Sequence, residues 1–239
     1  MTEILRTEQL TKRFQGLLAN DGIDFALASG ELRCVIGPNG AGKTTFISMI
    51  SGHLPATAGS IWYRGERITE LPVTARVRRG IVRKFQTPSV FDNLTVQENV
   101  ELGVLASARR ARDVRARIAR VLELVRLEEA AETLAVNLSH GQRQWLEIGL
   151  LLANNAELLL LDEPTAGMTV EETAATGALV RQLIGELDVA AIIIEHDINF
   201  IRSLHAPITV LHLGRVLVEG SFDEIERNQE VREVYLGAE

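Results

Sequence analysis

The sequence predicts an α/β fold built on a mostly parallel sheet. Three observations carry that expectation. Short apolar runs at 32–36, 157–162 and 189–195 alternate with helical patterns. Residues 158–161 and 189–194 are apolar without interruption, as in strands covered on both faces. A glycine-rich run at 37–45 joins the first of these strands to a segment that suits a helix.

The remaining elements follow in chain order. Segments 3–10, 23–28, 59–64 and 208–219 are shorter, more alternating and interrupted by glycine. They predict an antiparallel sheet beside the parallel core. Within the last of them, Val210-Leu211-His212-Leu213, Gly214 and Arg215-Val216-Leu217-Val218 read as a hairpin. The stretch 95–153 is mostly helical in pattern. Val114, Ile118, Val121, Leu122 and Val125 share one apolar face. Arg109, Arg110, Arg112, Arg115, Arg117 and Arg120 crowd the same stretch. They form either a phosphate-binding site for lipid or RNA, or a solvated face balanced by Glu123, Glu128 and Glu129. The absence of interleaved aromatics favours the solvated face. Thr169-Val170-Glu171-Glu172 and Ser221-Phe222-Asp223-Glu224 each fit a capping box, so helices are expected to start there.

Composition bounds the function. A chain of 239 residues suits one large α/β domain, and 46% apolar content suffices for its core. The net charge of −7 argues against nucleic acid as a partner, since that needs a basic face. The single cysteine, Cys34, rules out an internal disulfide and a multi-cysteine metal site. Its place in a buried strand predicts a small core residue. No segment resembles a signal peptide, and no apolar run approaches the ~20 residues that span a bilayer. A cytoplasmic location is expected, with any membrane role arising through a partner.

The run Gly37-Pro38-Asn39-Gly40-Ala41-Gly42-Lys43-Thr44-Thr45 fits the phosphate-loop pattern. Gly37, Gly40 and Gly42 let the backbone curl so that successive N–H groups face inward and cradle phosphate oxygens. Lys43 brings a positive charge to the β- and γ-phosphates, and Thr44 offers a hydroxyl to Mg²⁺. Asn39, Gly40, Ala41, Gly42, Lys43, Thr44 and Thr45 are the expected contacts to the nucleotide. A helix beginning near Thr44 aims its dipole at the anion.

Such a loop needs a carboxylate for the metal. Leu158-Leu159-Leu160-Leu161-Asp162-Glu163 buries a strand and delivers Asp162 at its C-terminal end, where α/β sheets bind ligands. Asp162 suits Mg²⁺. Glu163 beside it is placed to orient, or take a proton from, a water attacking the γ-phosphate. Gln86 follows the strand pattern Ile81-Val82-Arg83-Lys84-Phe85 and either senses metal and water or lies on the surface. His196 follows another strand and either meets the γ-phosphate or caps the next helix. Both fall where the nucleotide is expected, which favours the functional reading. Leu138-Ser139-His140-Gly141-Gln142 precedes a helix, and Ser139 with the following N–H groups opens it.

With these elements in this order, the chain resembles the ATP-binding subunit of ABC transporters over nearly all 239 residues. The resemblance implies a phosphate-loop NTPase core, an antiparallel β subdomain, and a helical subdomain at roughly 87–153 inserted into a single domain. It assigns Gln86 to the glutamine loop, with a hand in catalysis and metal binding. It assigns residues 138–142 to the signature, Glu163 to the catalytic base, His196 to the switch histidine and Phe14 to the adenine-stacking aromatic. It implies that two such subunits, identical or not, pack head to tail. ATP is then held between the phosphate loop of one and Ser139, Gly141 and Gln142 of the other. Closure and hydrolysis would drive permease subunits, and a periplasmic binding protein indirectly. Val90-Phe91-Asp92-Asn93-Leu94 would receive a permease helix, or Val90, Phe91 and Leu94 would instead be core.

Two departures from the family pattern stand out. His140 replaces the first of two signature glycines, and Thr169 stands where many relatives carry aspartate. The signature with its following Arg-Gln-Trp-Leu-Glu-Ile-Gly, and the Ala-Gly-Met-Thr run, look like the urea-type subunit within the branched-chain amino acid importers. The Val-Tyr-Leu-Gly ending at 234–237 looks like that wider group too. The other readings are a lipid or lipopolysaccharide exporter ATPase and a soluble, non-transport ABC ATPase. The absence of a second cassette or a long coiled-coil insertion disfavours the last.

Overall fold

The computed structural model describes residues 2–84, 90–107 and 113–236. Gln86, Arg109, Arg110 and Arg112 lie outside that set. The chain opens with two long strands, β1 (Glu3–Phe14) and β2 (Leu17–Ala28), then β3 (Leu32–Ile36) and α1 (Lys43–Ser51). Next come β4 (Ala58–Tyr63), β5 (Glu66–Arg67), α2 (Val73–Val77) and β6 (Ile81–Lys84). The helices α3 (Val96–Ser107), α4 (Val114–Leu124) and α5 (His140–Ala153) follow. The last third holds β7 (Leu158–Asp162), α6 (Val170–Leu187), β8 (Ala190–Ile194), α7 (Ile198–Leu204), β9 (Ile208–His212), β10 (Arg215–Gly220) and α8 (Phe222–Arg227).

Among the described residues the strands form two sheets. One runs β10-β9-β3-β8-β7-β6 and is parallel except for the β9–β10 hairpin at its edge. The other runs β2-β1-β4-β5 and is antiparallel throughout. The hairpin at 208–220 therefore belongs to the main sheet, which corrects its expected place in the antiparallel one. All of β9 but its last residue is buried, because β3 covers one edge and packed layers cover both faces.

Side-chain alternation builds the layers. On β7, Leu158 and Leu160 enter a core shared with α1 and the antiparallel sheet, including Leu5, Leu10, Ile23 and Phe46. Leu159 and Leu161 enter the opposite core, with Cys34, Val180, Ile193 and Phe200. A strand apolar at every position is thus one that serves two cores. A third apolar cluster joins Val96 and Val100 of α3, Ile118, Val121 and Leu122 of α4, and Leu146 of α5. It includes Val125 and is flanked by Val114, so the apolar face read at 114–125 is the buried one. Two of the arginines in this stretch are engaged. Arg120 donates to Glu123 at 2.8 Å and to Glu186 at 3.2 Å, and Arg117 reaches the Ala153 carbonyl.

Arg76 joins the layers from inside. Its guanidinium is buried and donates to the carbonyls of Met49, Ile50, Thr69 and Leu71 at 2.6, 2.7, 2.7 and 2.9 Å. Two of these carbonyls end α1, so one side chain caps the helix that follows the glycine-rich loop.

Candidate active site

β3 lies between β9 and β8 and delivers the chain to the glycine-rich loop at the C-terminal edge of the sheet. Gly42 adopts a left-handed φ of 98°, and a Cβ there would fall 2.4 Å from the Ala19 carbonyl oxygen. Only glycine allows that turn and that approach. The loop is braced from two sides. Asn20 Nδ2 donates to the Gly42 carbonyl at 3.2 Å. The Gly214 N–H donates to the Ala41 carbonyl at 3.1 Å, while the Gly214 carbonyl accepts from the Asp21 N–H. α1 then starts at Lys43, with the exposed Thr44 in its first turn.

The Lys43 ammonium donates to the carbonyls of Gly37 and Pro38 at 2.6 and 3.0 Å. Burial pushes its pKa below the usual lysine value, and the carboxylates of Glu163 and Asp162 pull it back up. Those carbonyl bonds hold the cation inside the loop, where it can pair with an anionic oxygen.

β7 sets Asp162 at the same edge, with 1% of its surface exposed. Arg83 Nη2 donates to Asp162 Oδ2 at 3.0 Å, and Arg83 Nη1 donates to Ser48 Oγ at 2.7 Å. Burial raises the Asp162 carboxyl pKa, opposed chiefly by Arg83. Its other oxygen, Oδ1, is buried without a hydrogen-bond partner among the described residues. An orphaned carboxylate oxygen below the loop is a fitting ligand for a hard divalent cation.

Glu163 follows with φ at 49°, an uncommon conformation for a side chain of its size. Its N–H donates to the Ile194 carbonyl at 2.9 Å, and its Oε1 lies 3.1 Å from His196 Nε2. His196 does not cap the next helix. Asp197 does, accepting from the N–H groups of Asn199 and Phe200 at 2.8 and 3.0 Å.

A cleft of about 540 Å³ gathers Phe14, residues 39–45, Glu163 and His196, and the buried Asp162 directly precedes Glu163 in the chain. Phe14 is 41% exposed at its rim, with the Lys12 ammonium 5.1 Å from its ring centre. A larger cleft of about 960 Å³ opens at the other ends of the strands, by Tyr63, Arg78 and Asn155, and holds none of these residues. Ser139, Gly141 and Gln142 do not line the nucleotide-side cleft. They open α5, where Ser139 and Gln142 form a reciprocal capping box. Gln142 thus turns its side chain back onto its own helix. His140 Nε2 donates to the Ala166 carbonyl at 2.8 Å, so its imidazole ties α5 to the segment after Glu163. Thr169 caps α6.

Three polar residues that the sequence reading passed over are central here. Arg83 is a cation inside a buried strand, a pattern that signals an internal partner. Glu195 is buried and accepts from the Thr165 N–H and hydroxyl at 2.8 and 2.5 Å, and from the His196 N–H at 3.0 Å. It joins the segments that carry Glu163 and His196. Glu172 reaches Ser139 and Gly141, a contact its capping-box position does not announce.

Comparison with known proteins agrees with this geometry. The family model described as ABC transporter matches residues 20–166. That described as branched-chain amino acid ATP-binding cassette transporter matches residues 215–239. The high-affinity branched-chain amino acid transport ATP-binding protein BraF of Pseudomonas aeruginosa is 35% identical over 98% of both chains. The corresponding LivG of Escherichia coli K12 is 34% identical, also over 98% of both. Among solved structures, the ADP conformation of the ATP-binding cassette MJ1267 superposes with a TM-score of 0.90 at 29% identity, covering 100% of each chain. The dimeric cassette MJ0796 superposes with a TM-score of 0.80 at 27% identity, over 92% of this chain and 99% of that one. Among the described residues no helix is long and apolar enough to cross a membrane. The chain belongs to the ABC transporter family, as an ATP-binding cassette that binds and hydrolyses ATP.

Proposed function

We propose that this cassette powers an importer of the branched-chain amino acid class, carrying such amino acids or short amides such as urea. The observation that supports the reading best is the meeting of Phe14, residues 39–45, Glu163 and His196 in one cleft, with the buried Asp162 next to Glu163 in the chain. The names of BraF and LivG and the match at the C-terminus support the solute class. The run from Leu138 to Gln142 with its following helix supports the urea-type branch.

In this reading Phe14 stacks on adenine. The N–H groups of residues 39–45 and the Lys43 ammonium hold the β- and γ-phosphates. Thr44, Asp162 and Gln86 would hold Mg²⁺, whose charge would offset that building on the phosphate oxygens. Glu163 orients the attacking water and accepts its proton, and His196 holds Glu163 and meets the γ-phosphate. Gln86 completes the shell around water and metal. Ser139, Gly141 and Gln142 serve the nucleotide of a second cassette packed head to tail, either a copy or a paralogue. Residues 1–239 act as one domain, whose helical part at roughly 87–153 docks on permease subunits. That contact holds the chain at the cytoplasmic face of the membrane, with a periplasmic binding protein acting through the permeases.

The test is calorimetry with Mg–ATP, then uptake by the cassette reconstituted with the permeases encoded beside it. Binding is expected, and Lys43→Ala should abolish it. Uptake of leucine or urea should require ATP. No heat with Mg–ATP would overturn the site, and uptake of neither solute would overturn the importer class.

A further inference from the structure

The donors that open α5 already have an anionic acceptor. Glu172 Oε1 accepts from the Ser139 hydroxyl at 3.1 Å and from the Gly141 N–H at 3.1 Å. Its other oxygen accepts from the Thr169 N–H at 3.1 Å. The one proton of the Ser139 hydroxyl is therefore committed, since that oxygen also accepts from the Gln142 N–H. The approach is close. A Cβ on Gly141 would lie 2.8 Å from Glu172 Oε1 and 3.0 Å from its carboxyl carbon. A side chain at 141 would therefore push the Glu172 carboxylate off these donors.

The N–H groups of Thr169 and Gly141, with the Ser139 hydroxyl, hold the Glu172 carboxyl below the ordinary carboxylate range. It is an anion at neutral pH. A carboxylate oxygen and a phosphate oxygen take the same donors in the same geometry. Glu172 therefore puts a negative charge on the two donors that open α5.

We propose that Glu172 is a built-in stand-in for the opposing γ-phosphate, keeping the signature occupied until ATP-driven closure displaces it. The inference rests on the reading that Ser139 and Gly141 face a partner's nucleotide. On that reading Glu172 is a positioning residue that sets the ATP concentration at which two cassettes close. The turn that leads into its helix is the one His140 holds through the Ala166 carbonyl, so displacement at the signature is felt next to Glu163.

The informative variant is Glu172→Gln. Glutamine serves a capping box as well as glutamate does, so the start of α6 is kept. It replaces the anionic acceptor with a neutral amide. The variant is made in a Glu163→Gln background, where hydrolysis does not drain the closed state. Sedimentation then follows dimer formation against Mg–ATP concentration, for the chain alone and mixed with its cognate second cassette. Glu172→Gln should lower the half-maximal ATP concentration about tenfold, with an unchanged melting temperature. A midpoint that is unchanged or raised, with dimers forming, overturns the stand-in role alone. No dimer in any mixture at millimolar Mg–ATP overturns the reading of Ser139 on which it rests.

Discussion

His196 Nε2 lies 3.1 Å from Glu163 Oε1, joining residues that follow two neighbouring strands, β8 and β7. A neutral imidazole donates to a carboxylate at that distance and leaves it charged. On the proposed reading Glu163 is the base and His196 the group that orients it, both lining the cleft that holds the glycine-rich loop.

Glu163→Gln should lower the rate of phosphate release by about 10²–10⁴, the range of a positioned proton acceptor. His196→Ala should lower it by about 10². Both should bind nucleotide as the parent does, because neither removes a donor of the loop. Single-turnover phosphate release beside equilibrium nucleotide binding separates the two effects. Full turnover in the glutamine variant would take Glu163 out of the proton-accepting role.

Arg83 and Asp162 are a buried pair, with 6% and 1% of their side chains exposed. Removing the cation strands a carboxylate under the loop. Arg83→Ala should cost about 3 kcal/mol in urea unfolding, as for other broken buried pairs. Changing both, to Arg83→Met with Asp162→Asn, should recover part of that loss. A loss below about 1 kcal/mol in the single variant would show that water replaces the guanidinium.

Much of this architecture was legible along the chain. Leu158–Asp162 reads as a strand between two cores because every residue before its acid is apolar, and it is one. β1 and β2 were expected only in part. Their pairing shifts register repeatedly, and Gln9 sits at φ 47°, so alternation breaks within single strands. Residues 208–220 read as a hairpin and form one, but in the main sheet and not the antiparallel one. Alternation reports which faces are covered, and it carries nothing about which strand lies alongside. The contacts Glu172–Ser139, Glu195–Thr165 and Arg83–Asp162 join residues 33, 30 and 79 positions apart. No local pattern encodes such a pair, since each exists only once the sheet edge has formed.

Cys34 is fully buried in β3, and its thiol pKa is pushed from an ordinary value of 9.0 to about 12, first by burial and then by Glu195. The folded state therefore keeps its proton in a pH range where the unfolded chain gives it up. Stability from this group is complete below about pH 9 and falls as pH rises toward 12. Measured against Cys34→Ala, the parent should lose about 1.4 kcal/mol of relative stability between pH 8 and 10. Thiol-reactive dye at neutral pH should label Cys34 only as fast as the core opens. Prompt labelling of the native protein would show that the thiol is reachable.

Phe91 is 57% exposed although its backbone is fixed. The Asn99 side chain accepts from the Phe91 N–H at 2.8 Å and donates to the carbonyls of Phe91 and Thr95 at 3.0 and 2.9 Å. Arg143 on α5 pairs with the neighbouring Asp92. On the proposed reading this outward-facing ring is part of the surface that receives a permease helix. Of the two readings open to this segment, Phe91 itself is therefore not core, while Val90 leans on the helical cluster. Phe91→Asp should leave Mg–ATP binding and the melting temperature of the isolated cassette unchanged. In membranes carrying the permeases it should lower solute uptake at least about tenfold, since a buried carboxylate at the contact lacks a partner. Asn99→Ala should lower uptake too, but through a loss of about 2 kcal/mol in the cassette's own stability, because it frees three backbone groups. Uptake that survives the aspartate intact would place the permease contact elsewhere on the helical layer.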